Sequence, residues 1–162
     1  MNKINIECYQ NAYKDEVAAL ILSIQQDEFD IPVTLDMQPD LEEISSFYQI
    51  NNGNFWVARS NNKIIGTIAL LDLGNNKAAL RKMFVAKEYR GKEFGAGQLL
   101  LDNLTAWATQ NSFSEIFLGT TQKFVAAHRF YEKNNFIEIS KKDLPPVFPV
   151  MDVDVKFYKF SI

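Results

Sequence analysis

The residues from Met83 to Leu101 are the first in this chain whose types and spacing point to chemistry. They read as an apolar run, Met83-Phe84-Val85-Ala86, then a basic, Gly-containing turn through Arg90-Gly91-Lys92-Glu93-Phe94-Gly95, then a helical pattern from Ala96. That order sets a helix N-terminus directly behind a strand. The first N–H groups of a helix lack partners within it, and the helix dipole favours negative charge there, so the turn suits an anion. Arg90 and Lys92 add positive charge at the same place, and the glycines let a ligand approach the backbone. The expected ligand carries phosphate. The spacing is not G-x-x-x-x-G-K-[ST], since no Lys-Ser or Lys-Thr follows the glycines, and it is not G-x-G-x-x-G opening a βαβ unit. Taken alone, Arg90 to Gly95 also suits an ordinary βα turn with a solvated Arg/Lys pair.

A second segment, Ala127-His128-Arg129-Phe130-Tyr131-Glu132-Lys133-Asn134-Asn135-Phe136, follows after a helix and a strand. It resembles the A-x-x-F-Y-E-K-x-G-F stretch of the GNAT superfamily of N-acetyltransferases. Arg90 to Gly95 resembles the pyrophosphate motif of the same superfamily, [QR]-x-x-G-x-[GA], with the strand before it and the Leu-rich helix after it. Two motifs in the right order are much more specific than either alone, and the resemblance covers residues 54 to 140. Glu93 departs from the pattern, standing where the family has Gly.

The resemblance implies a GNAT-like α+β fold, with a mixed, mostly antiparallel central sheet flanked by helices. It implies direct transfer of an acetyl group from acetyl-coenzyme A, as co-substrate, to a primary amine. In that reading the backbones of Met83, Phe84 and Val85 bind the pantetheine arm, and an N–H of Phe84 or Val85 polarises the thioester carbonyl. Arg90, Gly91, Lys92, Glu93, Phe94, Gly95 and Ala96 hold the pyrophosphate. Tyr131 is the general acid for the leaving thiolate, a role a phenol can fill. Phe124 stands near where the family places a pantetheine-binding Asn, so either Thr121 or Gln122 substitutes or nothing does. Lys133 is placed to touch a coenzyme phosphate.

Phe124, Ala127, His128 and Tyr131 fall on one helical face, so His128 is expected within reach of the same cleft, as a proton carrier or coenzyme contact. His128 also suits a structural or surface position, and Tyr131 also suits the rim of an aromatic core. The family's frequent Glu on the motif strand is missing, because Ala78, Ala79 and Leu80 precede Arg81. Asp72, His128 and Glu43 remain as candidate bases. A non-catalytic acyl-coenzyme A-binding module of the same fold is the alternative function, and an unrelated α+β ligand-binding domain is a third reading.

The whole chain bounds these readings. Its 162 residues suit a single domain, 1–162, with a sizeable core. Thirteen Phe, six Tyr and two Trp argue for an aromatic core or pocket. A net charge of -3 gives no basic footprint for nucleic acid. One cysteine, Cys8, rules out an internal disulfide, and a lone His with a lone Cys argues against a structural zinc site. Met1 to Gln10 has no apolar signal core and no run is long enough to span a membrane, so a cytoplasmic protein is expected.

The elements that must position the motifs follow from periodicity. Lys3 to Cys8 reads as an edge strand, Tyr13 to Ile24 as a helix, Asp27 to Gln38 as a loop, and Pro39 to about Asn51 as a second helix. Strands are expected at 55–58, 64–71, 78–85, 115–119, 136–139 and 152–160. The motif helices are expected after Gly95 to about Asn111 and over 121–134. The resemblance implies that residues 25–40 and 141–151 shape the pocket for the acceptor, a small-molecule or peptide amine. Asp27, Glu28, Asp30, Asp36 and Asp40 make the first of these acidic, which suits either a cationic acceptor or a solvated loop. The Pro-rich stretch Leu144 to Met151 reads as a lid, a pocket wall or a dimer contact, leaving a homodimer open.

Overall fold

The computed structural model describes residues 3–162. Met1 and Asn2, which open the polar N-terminal stretch, lie outside the described residues. Seven strands form one sheet in the order β1-β2-β3-β4-β5-β7-β6. They are β1 (Asn5–Cys8), β2 (Asn54–Ser60), β3 (Lys63–Gly74), β4 (Lys77–Val85), β5 (Glu115–Thr120), β6 (Ile137–Ile139) and β7 (Lys156–Ser161). Every pairing is antiparallel except β4 with β5. The helices are α1 (Lys14–Leu22), α2 (Ile44–Tyr48), α3 (Ala96–Gln110) and α4 (Val125–Lys133).

Strand alternation divides the sheet's side chains between two cores. On one face Trp56, Ile65, Ile68, Leu70 and Leu80 pack with Leu100, Leu101, Leu104 and Ala108 of α3. On the other, Phe55, Val57, Ile64 and Ala69 pack with Val17 and Ile21 of α1 and with Ile44 and Tyr48 of α2. β3 is buried on both faces through Ile64–Leu70, which explains its almost unbroken apolar run. The type II′-like Gly option is not used at the β2–β3 turn; instead Asn61 and Asn62 take positive φ, the left-handed pair a two-residue hairpin needs.

The expected order of elements matches the observed one, with four differences. Helical turns continue past α1 as a wide, π-type segment over Ser23–Glu28, so the expected loop begins later. Gln25 is buried there and reaches Gln38 through paired amide bonds of 3.0 and 2.9 Å, which anchors the segment. The second helix breaks into a short turn, Pro39–Leu41, and the five-residue α2. α4 begins at Val125 rather than 121, and β7 at Lys156 rather than 152, because Met151–Asp154 is held as a turn by the Asp154 carboxylate.

Two irregularities of β4 position everything that follows. It pairs with β5 only over Lys77–Ala79, opposite Glu115–Phe117, and then the strands part. Within the ladder to β3, the register shifts between Thr67 and Ala69, and Lys82 takes φ 52°. This is a β-bulge, with the extra residue held by the Thr67 hydroxyl, which donates to the Lys82 carbonyl at 2.7 Å.

Candidate active site

Where β4 leaves β5, a cleft of about 1020 Å³ opens between the end of β4, the start of α3 and the first turns of α4. Its apolar wall includes Met83, Phe84, Val85, Phe94 and Phe130. The Ala86 N–H bonds back to the Ile65 carbonyl of β3 at 2.8 Å, so alternation turns the N–H and carbonyl of Val85 the other way, into the gap. The Val85 carbonyl accepts the Arg90 Nε–H at 2.8 Å, in keeping with that direction.

The turn before α3 has the geometry of an anion cradle. Gly91 (φ 112°) and Gly95 (φ 65°) both adopt left-handed backbone, which bulkier residues take only with strain. The first bond within α3's ladder is donated by Leu99 to the Gly95 carbonyl at 2.9 Å. The N–H groups of Ala96, Gly97 and Gln98 therefore precede the helix's own bonding. Lys92 and Lys133 line the same end of the cleft and form no ion pair among the described residues. Arg90 does: its guanidinium forks onto the Glu28 carboxylate, with Nη2 donating to Oε1 at 2.8 Å, and sits 5.7 Å from the Phe29 ring centroid. On the opposite lip Lys123 Nζ donates to the carbonyls of Phe29 and Asp30 at 3.1 and 2.7 Å. The 23–30 segment is thus fastened to both lips, and its Ile24 and Phe29 line the cleft.

A second, smaller cavity of about 90 Å³ adjoins the first at the bulge. Gln25 and Ile31 line it from the N-terminal segment, Phe148, Pro149 and Met151 from the late loop, and Arg81, Lys82 and Asp154 supply its charge. Met83, Phe84, Phe124 and Tyr131 line both cavities, so the two meet there. Tyr131 is 5% exposed, and burial pushes its phenol well above the ordinary range, which keeps it protonated. Its hydroxyl has no hydrogen-bond partner among the described residues and is not sealed from the cavities.

Most of the residues singled out by sequence converge here. Met83, Phe84, Val85, Arg90, Gly91, Lys92, Phe94, Gly95, Tyr131 and Lys133 line the cleft. Glu93 is exposed, with its carboxylate folded back beside Gly91, and Ala96 is buried beneath the turn. Thr121 lines the small cavity instead of the cleft.

His128 lines neither cavity. It lies about 100° around α4 from Ala127, on the side of Tyr158, and its Nε2 donates to the Thr121 carbonyl at 2.9 Å. A carbonyl can only accept, so this bond fixes the Nε2–H tautomer and ties the loop before α4 to its first turn. The expectation that His128 faces the cleft is corrected on that ground.

The other candidate bases are also spent elsewhere. Asp72 accepts the N–H groups of Asn52 (3.1 Å) and Gly74 (2.8 Å) in surface turns. Glu43 is exposed beside Ser46. Of the acidic loop residues, Asp27, Glu28, Asp30 and Asp36 are exposed and line neither cavity, and Asp40 is buried in ion pairs, so the loop does not present an acidic pocket.

Sequence reasoning did not single out the Arg81–Lys82–Asp40–Gln38 cluster. Lys82 Nζ donates to Gln38 Oε1 at 2.6 Å and lies 3.6 Å from Asp40, which also accepts the Tyr48 hydroxyl at 2.6 Å and lies 4.0 Å from Arg81. Burial pulls the Lys82 ammonium down to about 8; Asp40 opposes that and Arg81 adds to it. The adjacent Arg-Lys pair in the middle of an otherwise apolar strand was the available signal.

Comparison with known proteins places this geometry. The acetyltransferase (GNAT) family matches residues 18–136. The crystal structure of a GNAT-family acetyltransferase from Staphylococcus aureus Mu50 superposes with a TM-score of 0.95, at 45% identity, covering 98% of each chain. An N-acetylaspartate synthetase from Xenopus tropicalis is 36% identical over 104 residues, which are 62% of this chain and 37% of that protein. The chain thus spans little more than a third of that relative's length. The PaiA N-acetyltransferase of Thermoplasma acidophilum, solved in complex with coenzyme A, shares the fold, with a TM-score of 0.73 at 18% identity over 99% of each chain.

Proposed function

This chain belongs to the GNAT acetyltransferase family, whose co-substrate is acetyl-coenzyme A, and from that premise we propose that it transfers an acetyl group directly from acetyl-coenzyme A to a primary amine. The observation that carries the proposal is the meeting of two cavities at Tyr131, with a phosphate cradle at the far end of the larger one. The cleft's chemistry fits the coenzyme: a long apolar wall, a strand N–H at Val85 turned away from the β3 ladder, free amides at the start of α3, and Lys92 and Lys133 beside them.

The coenzyme supplies an activated thioester. The chain's own groups do the rest. The amides of Ala96, Gly97 and Gln98 hold the pyrophosphate, aided by the α3 dipole. Strand alternation favours Val85 over Phe84 as the N–H that steadies the developing oxyanion. The amine nitrogen forms the new C–N bond, the C–S bond breaks, and the nitrogen's surplus proton leaves to water. Tyr131 donates its hydroxyl hydrogen to the departing sulfur. A phenol raised by burial is a weaker acid than a thiol, so Tyr131 serves first as a hydrogen-bond donor to the thiolate. It completes the transfer to the extent that the same dry site also raises the thiol, and the tyrosinate then regains a proton from the water that took the amine's. Fixing both reactants can contribute about 7–11 kcal/mol by removing the entropy of their encounter.

Thermal unfolding with acetyl-coenzyme A, with ATP and NAD as controls, tests the donor site. Ligand at 100 times its dissociation constant adds about 2.7 kcal/mol of stability. A shift with acetyl-coenzyme A alone, followed by amine-dependent thiol release, is the expected result. No shift at millimolar ligand would remove the proposal, and a shift with no turnover on any amine would leave a coenzyme-binding module.

A further inference from the structure

Plain alternation would send Arg81 and Lys82 to opposite faces of β4. The bulge cancels that. Ala79 packs with Phe117 and Phe148, Met83 packs on the α3 side, and both Arg81 and Lys82 reach Asp40 on the other side, at 4.0 and 3.6 Å. Two adjacent cations therefore line one small cavity. Holding Lys82 at φ 52° costs backbone energy, and such strain persists where the surroundings impose it, often at functional sites.

The two cations differ in how they are satisfied. Lys82 has Gln38 at 2.6 Å. The Arg81 side chain is only 12% exposed and donates no hydrogen bond to any described residue; Asp40 at 4.0 Å is beyond hydrogen-bond reach. Its guanidinium carbon lies 5.8 Å from the Phe47 ring centroid, and the side chain also lines the cavity. A guanidinium carries five N–H donors in a planar fork, and leaving them unpaired in a largely buried place is costly. The group that satisfies such a fork is a carboxylate, bound through two parallel N–H···O bonds.

The nearby acids do not offer a rival site for an ammonium. Asp40 already accepts the Tyr48 hydroxyl and faces both cations. The Asp154 Oδ2 accepts the Met151 N–H at 3.0 Å, and its burial raises the carboxyl above its ordinary range, which weakens it as a counter-ion. The cavity's volume of about 90 Å³ has room for a carboxylate and a short carbon chain, and it opens to the cleft beside Tyr131.

We propose that this cavity is the acceptor site and that Arg81, with Lys82 beside it, binds a carboxylate on the acceptor, so that the substrate is a small amino acid. The proposal rests on the acetyltransferase reading above and adds the acceptor's class to it.

The test pairs glycine, β-alanine, L-aspartate and L-glutamate each with its fully amidated form, and follows thiol release from acetyl-coenzyme A. At least one acid is expected to exceed its amide in kcat/KM by roughly 10–100-fold, the worth of a charge-assisted hydrogen bond. Arg81→Gln should remove that preference through KM, with kcat less affected and the acetyl-coenzyme A thermal shift retained. Arg81→Lys, which keeps the charge and loses the fork, should fall between. The wild-type ratio of acid to amide decides the matter even if Arg81→Gln does not fold. Amides used as well as acids, equal losses for acid and amide in Arg81→Gln, or bound coenzyme with no acid turned over would each overturn the proposal. Failure of the wild type to bind acetyl-coenzyme A would overturn the acetyltransferase reading itself, and this inference with it.

Discussion

The two cavities that meet at Tyr131 are built by opposite means. The cleft is made from contiguous sequence: the end of β4, the turn through Gly95, the start of α3, and one helix of the second motif. The small cavity is assembled from Gln25, Arg81, Lys82, Gly119, Phe148 and Asp154, brought together by the sheet and a bulge. The cleft is wide, mostly apolar, and ends in free amides. The cavity is narrow and dense with charge. A binding site that recognises a constant ligand can be carried by a portable loop-and-helix segment. One that selects among acceptors can draw on whatever the N-terminal third and late loops place against the same strand.

Tyr131 is where that division is most easily broken, because it faces both sides. Tyr131→Phe should lower kcat by about 100-fold or more, the usual worth of a positioned proton donor, while the acetyl-coenzyme A dissociation constant stays nearly unchanged. The phenyl ring keeps the packing against Phe130, Phe136 and Tyr158, so folding should survive. Turnover unchanged across pH would take Tyr131 out of the acid role and leave it a wall residue.

Lys82 sharpens the comparison from the cavity side. Its ammonium is pulled to about 8 in the folded chain, against an ordinary value of 10.5. Between those values the unfolded chain holds more protons than the folded one, so stability rises with pH across about 8 to 10.5. Below 8 the lysine is charged in both states and the burial penalty is present in full. Relative to Lys82→Met, the wild type should therefore gain roughly 3 kcal/mol at most between pH 7 and 10.5, measured as urea unfolding of both proteins. Equal pH slopes would mean that the Asp40 and Gln38 contacts offset the desolvation and that the cavity holds an ordinary ammonium.

The same contrast explains what could be read before the structure. Arg90 to Gly95 and Ala127 to Phe136 carry their meaning in local order, so the cleft's residues and the sheet around them were legible. His128 was misplaced because a helical face drawn from four residues spans a wide arc, and the Thr121 carbonyl and Tyr158 ring that claim it come from outside α4. The acidic loop misled for a similar reason: Glu28 is tied to Arg90 and Asp40 to Lys82, partners about 62 and 42 residues away in the chain. The bulge at Lys82 had no sequence mark, because a Lys at positive φ is imposed by the β3 ladder and the Thr67 hydroxyl rather than chosen by the residue.

Gly95 tests whether the portable segment depends on its backbone. A Cβ there would meet nothing within 4 Å, so a substitution is penalised by conformation alone, φ 65°. Gly95→Val should cost on the order of 1–2 kcal/mol in the conformation that presents the α3 amides, and so raise the coenzyme dissociation constant about tenfold, read by titration calorimetry. The cavity's acid-to-amide preference should not move. Unaltered coenzyme binding would show that the phosphate is held elsewhere.

Glu93 should give the smallest effect and the finest discrimination. It is an exposed carboxylate lying against Gly91, in the turn assigned to the pyrophosphate, at the position where the family pattern has Gly. Both partners would be negative, and repulsion between solvated charges is modest and screened over about 8 Å at physiological salt. Glu93→Gln removes the charge and keeps the shape, so acetyl-coenzyme A should bind about two- to fivefold more tightly at low salt. That gain should shrink as salt is added, because only a Coulomb effect is screened. If the gain were salt-independent, Glu93 would be shaping the turn rather than repelling the ligand. If binding weakened instead, the carboxylate would be holding Gly91 in its left-handed conformation, and the segment would be less portable than its motif suggests.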